Sequence, residues 1–288
     1  MKIDGKTQLI GLLGWPVSHT KSPILHNAVA QAHSLNFAYL PLAVHPDAVE
    51  AAVRGLPALG FLGVNVTVPH KQVVMPLLDV IDPAAQAIGA VNTILFSPRP
   101  EGGYPPKSAG FNTDWIGFQQ DLAQHNVPIR GRDCVVLGAG GSARAVVYTL
   151  LKAEANVFLC ARRPEQAQTL IADMRVHFPQ AQISATTFDQ IGDTLAQVVA
   201  PLIVNTTPIG MHPNVDESIW PDDRPFPVGS FVYDLVYTPA ETCLMKQAHT
   251  AGCESANGLG MLLGQAAEAF RIWTGIDPDL AVMEAALK

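Results

Sequence analysis

The sequence predicts an α/β protein of two domains, and three observations carry that reading. Short apolar runs alternate with amphipathic helical stretches almost from end to end, the pattern of parallel strands joined by crossover helices. A chain of 288 residues exceeds one ordinary core and suits two. A glycine-rich turn, Gly138-Ala139-Gly140-Gly141, follows an apolar run and opens a helix, as dinucleotide-binding modules require.

The predicted elements run in order. Residues 9–13 (LIGLL) read as a buried strand. Ser22 is the expected N-cap of the next helix, with Pro23 in its first position and Leu25, Ala28, Val29 and Ala32 on one face. Residues 37–42 form a second strand, and Pro46 starts a helix that ends near Gly55. A third strand over 61–68 leads into Pro69-His70-Lys71 and a short helix, and a fourth covers 90–96. The Pro- and Gly-rich stretch 97–110 predicts a surface turn or hairpin. Asp114 then stands as N-cap of a helix over 115–125.

From Cys134 onward the rhythm is a cleaner βαβ. Strands are predicted at 134–137, 157–160, 202–205 and 231–236, with helices at 142–153, 164–177 and 258–273 and a short closing helix after Pro278. The expected domains are 1–113 with 258–288, and 114–257, with an active-site cleft between them and a hinge motion on binding.

Composition excludes several classes of function. A hydrophobic content of 48% with 15% charged residues describes buried elements, not a disordered chain. The net charge of −7 disfavours a nucleic-acid partner, so an anionic ligand needs a local cluster of donors. Cys134, Cys160, Cys243 and Cys253 form no CxxC pair, and all but Cys253 sit in apolar surroundings; reduced thiols of a cytoplasmic protein are expected. The nine histidines show no paired-ligand spacing, so no metal is expected, and His19 and His26 read as surface or packing residues. No apolar run reaches membrane-spanning length, and 9–15 lacks the basic flank and cleavage site of a signal peptide. Nothing separates a monomer from a homodimer.

The glycine turn has the form GxGxxA. Gly138 permits a sharp turn, Gly140 lets backbone approach a pyrophosphate, and Ala143 lets the helix pack close to the strand. Backbone N–H groups around Gly141 and Ser142 then face the anion. NAD-binding modules place Asp or Glu after the second strand, whereas this chain has Ala161-Arg162-Arg163. Two guanidiniums suit a 2′-phosphate through bidentate bonds, which favours NADP, with NAD possible; either arginine alone is equally readable as a solvated charge.

The first half places polar groups at strand ends, where open α/β sheets bind ligands. Lys71 follows the third strand, Thr20 and Ser22 surround a helix start, and Asn92 and Asp114 stand at further element ends. The motifs GWPVSHTKSPILHN, NVTVPHK, GAVNT, FNTD, GAGGSARA, NTTPIGM and NGLGMLLGQA occur together in this order. The chain thereby resembles the shikimate dehydrogenase family from about Gly11 to about Trp273.

That resemblance implies NADP-dependent, reversible hydride transfer between shikimate and 3-dehydroshikimate. It implies Lys71 and Asp114 as the catalytic pair and Thr20 and Ser22 as holders of the substrate carboxylate. It also implies Thr67, Asn92, Asp114 and Gln265 on ring hydroxyls, with Tyr237 nearby, and Leu235 and Gly258 at the nicotinamide end. Alcohol oxidation requires a base within hydrogen-bond reach of the hydroxyl; burial and an adjacent carboxylate act on a lysine amine in opposite directions.

Each residue also has a plainer reading. Ser22 and Asp114 serve equally as helix caps, Lys71 as a surface lysine and Tyr237 as packing, while Gln265 on an otherwise apolar helix is harder to assign to the surface. Three departures from the family stand out: Thr20 for the commoner serine, Trp15 for asparagine, and Ala161-Arg162-Arg163 with Gln166 for the usual cofactor loop. Rival readings are a quinate/shikimate dehydrogenase with NAD use, a folate-type methylene dehydrogenase and a non-catalytic ligand sensor.

Overall fold

The computed structural model describes residues 3–97, 106–222 and 224–288. Its chain divides into two compact units, Met1–Thr113 with Leu263–Lys288, and Asp114–Leu262. The body of the 97–110 turn, residues 98–105, lies outside the described residues.

The first unit contains β1 (Gln8–Gly14), α1 (Ser22–Ala32), β2 (Phe37–Ala43), α2 (Val49–Gly55), β3 (Phe61–Val66), β4 (Val80–Ile81), α3 (Pro83–Ile88), β5 (Thr93–Ser97) and β6 (Lys107–Phe111). These strands form one sheet in the order β2-β1-β3-β5-β6-β4. β1 is buried continuously from Ile10 to Gly14, as a central parallel strand covered on both faces must be. Its neighbours β2 and β3 are both parallel to it.

β5 departs from the expected parallel pattern: it runs antiparallel to β3 and to β6. These antiparallel pairs beside the parallel pairs of β1 make the sheet mixed. The third strand stops at Val66 and the strand expected at 90–96 starts at Thr93, which leaves Thr67, Val68 and Asn92 in loops; the short helix expected after Lys71 is a 3₁₀ turn, Met75–Leu77.

The second unit opens with α4 (Asp114–Gln124) and continues with β7 (Asp133–Leu137), α5 (Gly141–Lys152), β8 (Asn156–Cys160), α6 (Pro164–His177), β9 (Ile183–Thr186) and α7 (Ile191–Leu195). It closes with β10 (Leu202–Asn205), β11 (Phe231–Asp234), α8 (Cys243–Thr250) and β12 (Glu254–Asn257). The sheet order is β12-β11-β10-β7-β8-β9, and every pairing is parallel. This is the doubly wound dinucleotide-fold order, with its direction reversing between β7 and β10.

The chain ends in α9 (Leu259–Thr274) and α10 (Leu280–Ala285). Near the end of α9, the Trp273 indole N–H donates to the Ile94 carbonyl at 3.0 Å. Gly63 is required opposite it, because a Cβ there would overlap both the indole and that carbonyl.

Candidate active site

In the first unit the sheet turns its polar residues toward one end. The strand order reverses at β1, between β2 and β3, which opens the ligand-binding edge at the carboxyl ends of these strands. The antiparallel direction of β5 then brings its amino end to the same edge: Asn65 pairs with Thr93, and Thr93 with Phe111. Asn92 and Thr113 thus arrive beside the ends of β3 and β6.

A buried hydrogen-bond chain holds this edge. The Tyr39 hydroxyl donates to Asn65 Oδ1 at 2.8 Å, and Asn65 Nδ2 donates to the Asn92 carbonyl and to Thr93 Oγ1. Asn92 Nδ2 donates to Thr113 Oγ1 at 2.9 Å, while Asn92 Oδ1 accepts from the Thr113 N–H and the Thr93 hydroxyl. Burial pushes the Tyr39 phenol above its ordinary range, which keeps it a donor. Tyr39 and Asn65 were not singled out by sequence; only the strand register shows that an aromatic on β2 reaches an amide on β3.

Thr20 and Ser22, two of the predicted substrate residues, lie at the Tyr39 end of this chain. The Ser22 N–H donates to Thr20 Oγ1 at 3.2 Å, and the Ser22 hydroxyl lies beside the Tyr39 phenol. This corrects the expectation that Ser22 is the N-cap. Lys21 occupies the cap with no side-chain bond, Ser22 is the first helical residue, and Thr20 satisfies its N–H instead. The Thr20 oxygen accepts that bond and keeps its proton for an outside acceptor.

Thr67 is placed by its N–H bond to the Leu13 carbonyl, and Gly14 has no Cβ because the Thr67 methyl occupies the space. Lys71 is half-buried, and its carbonyl accepts the Val91 N–H at 2.8 Å, which seats it next to Asn92. Gln265 is half-buried on α9. Asp114 and Tyr237 belong to the second unit. α4 begins at Asp114 itself, so this buried carboxylate (6% exposed) is a first-turn residue rather than a flanking cap. Burial also raises the Tyr237 phenol above its usual range.

In the second unit the glycine turn follows β7 at the point where strand order reverses. Gly138 has φ +111°, and a Cβ there would sit 2.5 Å from Thr206 Oγ1, so only glycine fits. Gly140 differs: nothing in the chain lies within 4 Å of its Cβ position, so the space it leaves is open to a ligand. It is the N-cap of α5 and offers no side-chain bond to the helix. Ala143 is fully buried against the sheet. Ala139, Gly141 and Ser142 are half-buried around the turn.

Arg162 and Arg163 are exposed just beyond β8, and among the described residues neither is in an ion pair. Arg144, by contrast, is buried and paired with Asp173 at 2.5 Å. An open backbone cradle, a helix start without a side-chain cap and two uncommitted guanidiniums fit a dinucleotide carrying an extra phosphate.

Asn205 and Asp234, at the ends of β10 and β11, shape the neighbouring loops. Asn205 Nδ2 donates to Asp234 Oδ1 at 2.9 Å, and Asp234 also accepts from Thr242 Oγ1 and the Val236 N–H. Leu235 and Gly258 meet here, since a Cβ on Gly258 would overlap the Leu235 carbonyl.

Two further expectations change. Cys253 is buried at 7% in the core beside Val232 and Ala248, whereas Cys243 is the half-buried thiol; all four cysteines are unpaired. Among the described residues no cluster of His, Cys, Asp or Glu could hold a metal ion, and no helix is long and apolar enough to cross a membrane.

A doubly wound parallel unit with an open glycine cradle, joined to a mixed-sheet unit carrying a polar edge, defines a dinucleotide-dependent oxidoreductase class. Residues 12–94 match the shikimate dehydrogenase substrate binding domain, and 258–288 match the shikimate 5′-dehydrogenase C-terminal domain. The chain is 43% identical to a shikimate dehydrogenase (NADP(+)) of Salinibacter ruber, over 99% of both chains. A crystal structure of shikimate dehydrogenase in complex with NADP+ superposes with a TM-score of 0.87 at 38% identity, covering 99% of this chain and 96% of that one. The Thermus thermophilus shikimate 5-dehydrogenase in complex with NADP(H) and shikimate gives 0.82 at 33% identity, covering 97% and 98%. The chain belongs to the shikimate dehydrogenase family.

Proposed function

We propose that the chain catalyses reversible, NADP-dependent oxidation of shikimate to 3-dehydroshikimate, acting in the cytoplasm on small molecules. The observation that carries this reading is the polar edge of the first sheet. Hydroxyls at Thr20 and Ser22, a buried amide at Asn92 and the half-buried Lys71 gather at strand ends and suit a polyhydroxylated carboxylate.

In this reading Thr20 and Ser22 donate to the substrate carboxylate, and Thr67, Asn92 and Gln265 bind ring hydroxyls, with Tyr237 packing nearby. Lys71 takes the proton from the hydroxyl being oxidised, which must leave as the carbon gives up hydride. Asp114 orients that hydroxyl. The bound nicotinamide supplies the hydride acceptor. Gly138, Ala139, Gly140, Gly141, Ser142 and Ala143 form the pyrophosphate cradle, Arg162 and Arg163 hold the 2′-phosphate, and Leu235 and Gly258 support the nicotinamide.

Steady-state kinetics with shikimate and quinate, each against NADP+ and NAD+, test the assignment. Shikimate with NADP+ is expected to give the highest kcat/KM; absence of cofactor reduction with either acid overturns it.

A further inference from the structure

Asp121 has no part in the proposed chemistry, yet it is buried at 3% exposure, seven residues after Asp114 on the same face of α4. The Tyr233 hydroxyl donates to its Oδ2 at 2.5 Å, and His125 Nε2 lies 3.6 Å from its Oδ1. Tyr233 is fully buried on β11 and held edge-on by Phe118, with ring centroids 5.1 Å apart. The carboxylate also presses on the first turn of α9: a Cβ on Gly260 would overlap it, and the Met261 N–H faces the Tyr233 oxygen. A negative charge at this helix start is favourable.

Asp121 therefore touches two chain segments at once. One is β11, two residues before Leu235; the other is the start of α9, two residues after Gly258. These are the segments whose close approach makes the nicotinamide-end contact, with the Gly258 N–H also donating to the Val236 carbonyl. We infer that Asp121 is a positioning residue: through Tyr233 and Gly260 it sets the Leu235–Gly258 approach, and so the seat of the nicotinamide, while fixing the helix that bears Asp114. The inference rests on the cofactor assignment above.

The test compares binding of NADP+ with binding of 2′,5′-ADP, which keeps the 2′-phosphate but lacks nicotinamide. Titration calorimetry is run on the wild-type protein and on Asp121→Asn, Tyr233→Phe and Gly260→Ala. Each variant is expected to weaken NADP+ roughly 3- to 10-fold, the size of one lost oriented bond. Affinity for 2′,5′-ADP should be unchanged, and kcat should fall further than KM for the acid rises. Tyr233→Phe is nearly isosteric and reads the same contact if Gly260→Ala does not fold. Equal weakening of both ligands, or of neither, overturns the inference alone. Wild-type protein that binds neither ligand overturns the cofactor assignment, and the inference with it.

Discussion

The two sheets solve the same problem differently. In the second unit all six strands are parallel, and the ligand end is defined by one reversal of strand order at β7 and β10. Generic dinucleotide recognition needs little more than a tight turn, an exposed helix start and a gap where a side chain would be. In the first unit β5 and β6 pair antiparallel, which brings Asn92 and Thr113 to the edge that already holds Thr67 and Thr20. A polyhydroxylated acid demands many polar groups in one place, and in the proposed reading the reversed strand supplies two of them.

The sharpest way to break this division of labour is at Lys71. Lys71→Ala is expected to lower kcat/KM for the acid by about 10²- to 10⁴-fold, the range for loss of a general base. NADP+ affinity measured by calorimetry should hold. A parallel loss of NADP+ binding would refute the separation of chemistry from cofactor binding.

Within the parallel sheet, two glycines make the comparison finer. Gly138→Ala places a Cβ against Thr206 at a φ of +111°, so a stability loss of about 1–3 kcal/mol and weaker NADP+ binding are expected together. Gly140→Ala meets no atom of the chain and should keep the melting temperature while still weakening NADP+. Thermal melts of the two apo variants, followed by titration, separate a backbone requirement from a ligand requirement.

The arginines set a smaller effect. Replacing Arg162 and Arg163 with alanine should narrow the preference for NADP+ over NAD+ by roughly 10- to 100-fold, as expected for lost charge-assisted bonds. A ratio of kcat/KM values unchanged from wild type would make both residues solvated charges.

Much of this arrangement was legible in the sequence, and the losses have physical reasons. The βαβ run from Cys134 to His177 is read correctly because its strands are largely buried and its helices are long, α5 covered on every side and α6 carrying one apolar face. β6 (KSAGF) and β12 (ESAN) escape a sequence reading because neither has a β-branched residue and Phe111 is their one aromatic; register against a neighbour makes them strands. Cys253 looks polar in sequence, between Gly252 and Glu254, but closes the core beside Ala248. Ser22 fits a cap by composition, and only backbone angles show that Lys21 holds that position. The predicted site residues could be named singly, whereas the Tyr39–Asn65–Asn92 chain exists only through pairing across three strands.

The last prediction concerns that chain, at His26, and at neutral pH its effect is the smallest. Its ring stacks on Tyr39 with centroids 4.4 Å apart and planes at 9°, and neither ring nitrogen makes a hydrogen bond. Burial pushes its pKa down to about 3, so the folded protein holds it neutral at physiological pH. The unfolded chain, with an ordinary value near 6.5, binds the proton first as pH falls. This contribution is present above about pH 7 and is lost progressively as pH falls through 6.5 toward 3, by roughly 1 kcal/mol per pH unit below 6. His26→Phe keeps the stack with Tyr39 and removes the titrating group, so its denaturation midpoint should lose this part of the pH dependence between 6.5 and 5. If urea melts of wild type and variant fall in parallel over that range, His26 is not the source, and the polar edge of the mixed sheet is less tightly sealed from water than its packing implies.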